Sequence, residues 1–159
     1  MTPGNHTRTR TRTGTRTSAR THTRTFPGVA SGVADSRHWL ADLLRTATAP
    51  PVPEPVVDTA ALLLSEAASN AVRHTASGSR PGGRFTVHLH TGADALTVDV
   101  EDDGAAATVP TLAAPGDDAE SGRGLVLVDT FADAWGVPSR GGGLYFTLTR
   151  NDSPTVVQP

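Results

Sequence analysis

The pattern of apolar and polar positions changes sharply at Phe26. Beyond it Val33, Leu40, Leu43, Leu44 and Ala47 recur at helical spacing, which predicts a first helix over about 33–47 with Asp35 or Ser31 as its N-cap. The prolines of residues 50–55 end that helix, and Pro55 suits the first turn of the next, where a missing N–H costs nothing. This second helix, about Pro55 to Thr75, is apolar on several sides through Leu62, Leu63, Leu64, Ala67, Ala68, Ala71 and Val72, so much of it is expected to be buried. After a turn rich in Gly, Ser and Pro, Phe85, Val87 and Leu89 alternate with polar residues. After Gly92 to Asp94, Leu96, Val98 and Val100 do the same, which predicts two half-buried strands joined as a hairpin. Residues 105–121 carry neither period and read as a long mobile loop. Leu125, Val128, Ala132 and Trp135 then share one helical face, and Gly141 to Gly143 turn into a last strand whose Leu144, Phe146 and Leu148 face inward.

The 159 residues suffice for one domain with a real core. Residues 7–25 alternate Thr with Arg and hold no large apolar side chain, so residues 1–25 are expected to be a disordered tail, 26–150 the domain, and 151–159 a disordered C-terminal tail. Arg8, Arg10, Arg12, Arg16, Arg20 and Arg24 fall in the first segment, whereas all 16 acidic residues lie beyond it. The body is therefore acidic, which argues against nucleic acid as its main partner. There is no lysine, hence no Walker-type phosphate loop or Schiff base, and no cysteine, hence no disulfide, thiolate nucleophile or Cys-based zinc site. No apolar stretch is long enough for a membrane span or a secretory signal, and a cytoplasmic protein is expected.

Three groups of residues carry chemistry. Glu66 and Asn70 stand four apart, on one face of a mostly apolar helix. Asp102 continues the phase of Leu96, Val98 and Val100, so it points toward the covered side of the sheet, where a carboxylate needs a partner, and Gly104 to Ala107 behind it are small enough for a ligand to approach. Finally, Ser121, Gly122, Arg123 and Gly124 run into a helix, an arrangement that offers unpaired N–H groups to an anion or, equally, close helix packing.

In this order the three groups resemble the boxes of the GHKL, or Bergerat-fold, ATPases, and most closely the bacterial anti-sigma-factor serine/threonine kinases. The resemblance spans about Phe26 to Arg150. Glu66 and Asn70 match the family's N-box; Asp102, Gly104 and Ala106 its Asp-x-Gly-x-Gly box; and Gly122, Gly124 and Leu125 its Gly-x-Gly-Leu box. It implies an α/β two-layer sandwich, a mixed but mostly antiparallel sheet with helices on one face, and ATP held between the second helix, the end of the second strand and a lid formed by residues 105–121. Asp102 would accept the adenine amino group, Asn70 would bind magnesium, Glu66 would act as general base, and Gly122, Arg123 and Gly124 would receive phosphates, with Arg73 and His74 adding charge nearby. The implied partners are a sigma factor and an anti-anti-sigma protein carrying the acceptor serine; a homodimer is also allowed. Two departures stand out: Ala106 replaces a glycine, and Gly143 stands where relatives often carry threonine, with Thr147 pointing outward. No histidine-bearing dimerisation helix precedes the domain, which argues against a complete sensor histidine kinase. A non-catalytic ATP-dependent binding module and a detached histidine-kinase ATPase domain remain the alternatives.

Overall fold

The structure is a computed structural model that describes residues 19–74, 81–102, 119–138 and 142–150. In chain order these form strand β1 (Arg20–Pro27), helices α1 (Ala30–Thr46) and α2 (Glu54–His74), strands β2 (Arg84–Thr91) and β3 (Ala95–Glu101), helix α3 (Ala119–Phe131), and strands β4 (Ala134–Gly136) and β5 (Gly143–Thr149). The strands make one sheet in the order β1-β2-β3-β5-β4. Every pairing among the described residues is antiparallel, in keeping with the mostly antiparallel sheet that the sequence predicts.

The predicted alternation determines which face is covered. Phe85, Val87 and Leu89 of β2, Leu96, Val98 and Val100 of β3, and Leu144, Phe146 and Leu148 of β5 are all buried. Helix α2 lies on β2, β3 and β5 and is itself flanked by α1 and α3. Its inward face is Val57, Ala60, Leu63, Leu64, Ala67, Ala68 and Ala71, and α1 adds Leu40, Ala41 and Leu44. The result is the expected α/β two-layer sandwich. Leu62, expected inside with its neighbours, is instead 40% exposed on the outer side of α2. The hairpin of β2 and β3 holds as predicted, with Thr91 opposite Leu96 and Gly92 N donating to Ala95 O at 2.9 Å. Buried Arg150 locks that turn to the α1–α2 connection by donating to Gly92 O at 2.6 Å and Pro50 O at 2.7 Å.

Four boundaries differ from the sequence reading. Residues 20–25, assigned to a disordered tail, belong to β1, an edge strand. Thr21, Thr23 and Thr25 lie on one face and share hydrogen bonds of 3.0, 2.9 and 2.9 Å with His90, His88 and Thr86 of β2. Phe26 anchors the strand by stacking on Phe85 at 5.7 Å, with the Arg24 guanidinium 5.1 Å over its ring. Alternating threonine suits a strand because β-branched side chains fit a pleated surface once another strand is there to pair with.

Helix α1 starts at Ala30, earlier than predicted, and neither Ser31 nor Asp35 caps it: Val29 occupies the N-cap position with no side-chain bond. The chain turns straight off β1, Val29 N donating to Pro27 O at 2.8 Å, while Gly32 presses its backbone on the Pro27 carbonyl where a Cβ would not fit. Helix α3 likewise begins at Ala119, inside the predicted loop, and ends at Phe131, short of Trp135. Asp133 redirects the chain: its N–H donates to Thr147 O, and its carboxylate accepts from Thr149 N at 2.6 Å and Thr149 Oγ1 at 2.9 Å. Trp135 therefore lies in β4 opposite Phe146, with its indole N–H on Asp129 Oδ1 at 2.9 Å. The rest of the predicted loop lies outside the described residues, as do residues 1–18 and 151–159 of the two predicted tails.

The outer face of the sheet is polar, and Asp99 on it is under-satisfied: Oδ1 is buried with no hydrogen-bond partner among the described residues. Burial pushes its carboxyl above the usual range, with Glu101 adding to the rise and His88 and His90 opposing it. A raised folded-state value means that the native protein holds this proton more tightly than the unfolded chain, so stability falls as pH rises from the ordinary carboxylate value through the shifted one. Asp99→Asn is accordingly expected to gain about 1 kcal/mol, roughly 3 °C in Tm, at pH 8. The gain should vanish as pH falls below the ordinary carboxylate range, which thermal melts across pH check. For β1, truncation after Thr25 is expected to lower Tm by roughly 5 °C relative to truncation after Ser18, the loss of about 2 kcal/mol over three cross-strand pairs.

Candidate functional site

Along α2 the buried stripe runs through Ala60, Leu63, Leu64, Ala67, Ala68 and Ala71, and Glu66 and Asn70 stand half-buried at its margin. The small side chains of this stripe keep α2 close to its neighbours. How close is visible at Glu66, whose carboxylate rests on the backbone of Gly124 in α3: a Cβ at position 124 would sit 2.7 Å from Glu66 Oε2 and 3.6 Å from its Cβ and Cδ. Leu125 and Val128, buried beside Gly124, fix this face of α3 against the core. Two of the three sequence groups are thus in contact through Glu66 and Gly124. Because α3 already includes Ala119, Gly122 and Gly124 lie within the helix and not ahead of it. Only the first four N–H groups of a helix lack intrahelical acceptors, so Gly124 falls past them. What its missing side chain does here is admit Glu66. Arg123, between the two glycines, is exposed.

Asp102 follows β3 in the predicted phase, directly after the fully buried Val100, and is half-buried. The β3–β5 register sets Glu101 opposite Gly143, and one step further Asp102 N donates to Gly142 O at 3.4 Å. A Cβ on Gly142 would lie 3.0 Å from Asp102 Cγ and Oδ2 and closer still to Oδ1. Gly143 is constrained for a different reason. Its φ of +135° and the Val100 carbonyl against its Cα exclude any side chain, so the threonine that the resemblance leads one to expect has no room on this backbone. Thr147 faces outward as predicted, paired with Thr97 at 2.9 Å.

Helix α2 packs against α3, β3 and β5, the elements that carry or border Gly124, Asp102 and Gly142. Sequence reasoning missed Gly142. The available signal was the register itself, since continuing the β3–β5 pairing beyond Glu101 and Gly143 puts position 142 opposite Asp102. Gly104, Ala106 and the His74 side chain lie outside the described residues, and Arg73 is exposed. Among the described residues no three His, Cys, Asp or Glu side chains gather as a metal cage, and no helix is long and apolar enough to cross a membrane.

The model of a family described as the histidine kinase-like ATPase domain matches residues 26–149, from the end of β1 to the end of β5. A search of curated proteins found no match.

The contact of Glu66 with Gly124 makes a prediction of its own. Glycine to alanine inside a helix ordinarily gains about 1 kcal/mol. Gly124→Ala is expected to realise that gain, roughly 3 °C in Tm, only when Glu66 is shortened to alanine as well. With Glu66 in place the collision cancels it, and melts of the two single variants and the double variant measure the difference.

Proposed function

Because the chain belongs to the histidine kinase-like ATPase domain family, we propose that it is an ATP- and magnesium-dependent serine/threonine protein kinase of anti-sigma type. The observation that carries this reading is Glu66, a carboxylate on the core helix held against the Gly124 backbone one turn from Asn70. The family implies a nucleotide, and the residues fit one: Asp102 ends β3 beside a glycine whose missing side chain leaves it room. A half-buried carboxylate there can accept a hydrogen bond from a ligand that offers an amino donor, as adenine does.

ATP supplies the phosphoryl group, with magnesium to offset its charge. The chain's part is to bind and to move one proton. Asp102 accepts from the base. Asn70 presents a carboxamide oxygen to a hard cation that keeps several waters and needs few protein ligands. Gly104, Ala106, Gly122, Arg123, Gly124 and Leu125 complete the nucleotide-binding set, Arg123 bringing positive charge to the phosphates. Glu66 would take the proton of the incoming serine hydroxyl as its oxygen bonds to the γ-phosphorus and the bond from that phosphorus to the ADP oxygen breaks, ADP leaving. The acceptor is a serine on an anti-anti-sigma protein, and the protein's second partner is a sigma factor that it sequesters in the cytoplasm.

The test is incubation of the purified protein with labelled ATP, magnesium and candidate antagonist proteins. Label on an antagonist serine supports the kinase. ATP binding without transfer identifies a binding module, and label on histidine a detached histidine-kinase ATPase domain. Asp102→Asn is expected to weaken ATP binding at least about 100-fold, since it leaves a buried polar contact mismatched. Glu66→Ala is expected to keep Kd within about threefold while slowing transfer by roughly 10² to 10⁴. Normal ATP affinity in Asp102→Asn refutes the site.

A further inference from the structure

Gly142 belongs to none of the three sequence groups, yet it is the residue on which the geometry of Asp102 turns. In an antiparallel pair, directly opposed residues carry their side chains on the same face. With Glu101 opposite Gly143 and Asp102 N bonded to Gly142 O, a side chain at 142 would share its space with the Asp102 carboxylate. The clash would be direct: a Cβ there lies 3.0 Å from Cγ and from Oδ2, and nearer to Oδ1.

One of the two strands would have to yield, and the neighbouring residue determines which. Gly143 is held in the left-handed region at φ +135°, with the Val100 carbonyl packed on its Cα and Glu101 Cα 3.3 Å from where a Cβ would stand. The β3–β5 pairing, with Glu101 opposite Gly143 and Asp102 N bonded to Gly142 O, holds the two backbones together. Alanine at 142 adds only the methyl group that would meet the Asp102 carboxylate. With the backbones held, the added methyl would press on the Asp102 carboxylate.

We infer that Gly142 is a positioning residue for Asp102: its missing side chain is what lets the carboxylate stand on the covered side at the end of β3. This inference rests on the reading of Asp102 as the group that meets the nucleotide base, and it adds the residue that sets the orientation of that group. It also separates the roles of the two adjacent glycines. Gly143 serves the backbone, and Gly142 serves a side chain on another strand.

The experiment is a cycle of Gly142→Ala, Asp102→Ala and the double variant, each measured for Tm without nucleotide and for Kd with ATP and magnesium. Gly92→Ala is the control, because a Cβ there meets nothing closer than Ala95 O at 3.6 Å. Gly142→Ala is expected to lower Tm in the wild-type background but not in the Asp102→Ala background. It should also weaken ATP about tenfold, while Gly92→Ala leaves Kd unchanged. If Gly142→Ala does not fold and the double variant does, the coupling is shown in its strongest form. Equal Tm losses in both backgrounds overturn the inference, and so does an unchanged Kd in Gly142→Ala when Asp102→Asn no longer binds. Coupling in Tm combined with normal ATP binding by Asp102→Asn supports the positioning contact and refutes the base-binding reading, so the two failures are distinguishable.

Discussion

Helix α2 can lie directly on the sheet because the face it turns inward is largely alanine. Ala60, Ala67, Ala68 and Ala71 are each at most 4% exposed, and Leu63 and Leu64 fill the space between them. Short side chains bring the helix close to β3, β5 and α3 together, and dense packing holds it there. The functional geometry follows from that approach. Glu66 stands at the margin of the alanine stripe, so its carboxylate reaches the α3 backbone at Gly124. Larger residues on the stripe would hold α3 off and leave the same glutamate in open solvent.

Much of this was legible in the sequence because it is carried by short periods. The alternation at Phe85, Val87 and Leu89 and at Leu96, Val98 and Val100 marks the covered face, and its phase extends to Asp102 without further information. The parts that were not legible depend on a partner distant in sequence. Thr21, Thr23 and Thr25 read as low complexity because they bring no apolar surface of their own; they become a strand only against His90, His88 and Thr86. The end of α3 was misjudged for the same reason. Helical spacing continues to Trp135, but Asp133 finds Thr147 and Thr149 on β5, and those hydrogen bonds outweigh the local pattern.

The sandwich handles its half-buried carboxylates in two ways. Glu66 and Asp102 each stand beside a glycine, so room is made by subtraction of a side chain on a neighbouring element. Asp99, on the outer face, has no such arrangement: its Oδ1 is buried without a partner, and its carboxyl is pushed toward the protonated form. That contrast bears on function. A carboxylate given space can meet a ligand from outside, whereas one enclosed by its own strand neighbours only lowers the stability of the fold.

Gly143 extends the same logic to the position where the resemblance leads one to expect a threonine. A threonine there would require a backbone that this chain does not have, since φ is +135° and the Val100 carbonyl occupies the place of a Cβ. The departure is therefore not a deletion that a point substitution could reverse. The β3–β5 junction is built on two consecutive glycines, one letting the backbones approach and the other clearing the carboxylate. On the proposed reading, recognition of the base at this junction shifts from a carboxylate and a hydroxyl to the carboxylate of Asp102. A site that depends on such a group is sensitive to its orientation, and here the room for that orientation is left by Gly142, a residue that contributes no side-chain atoms at all.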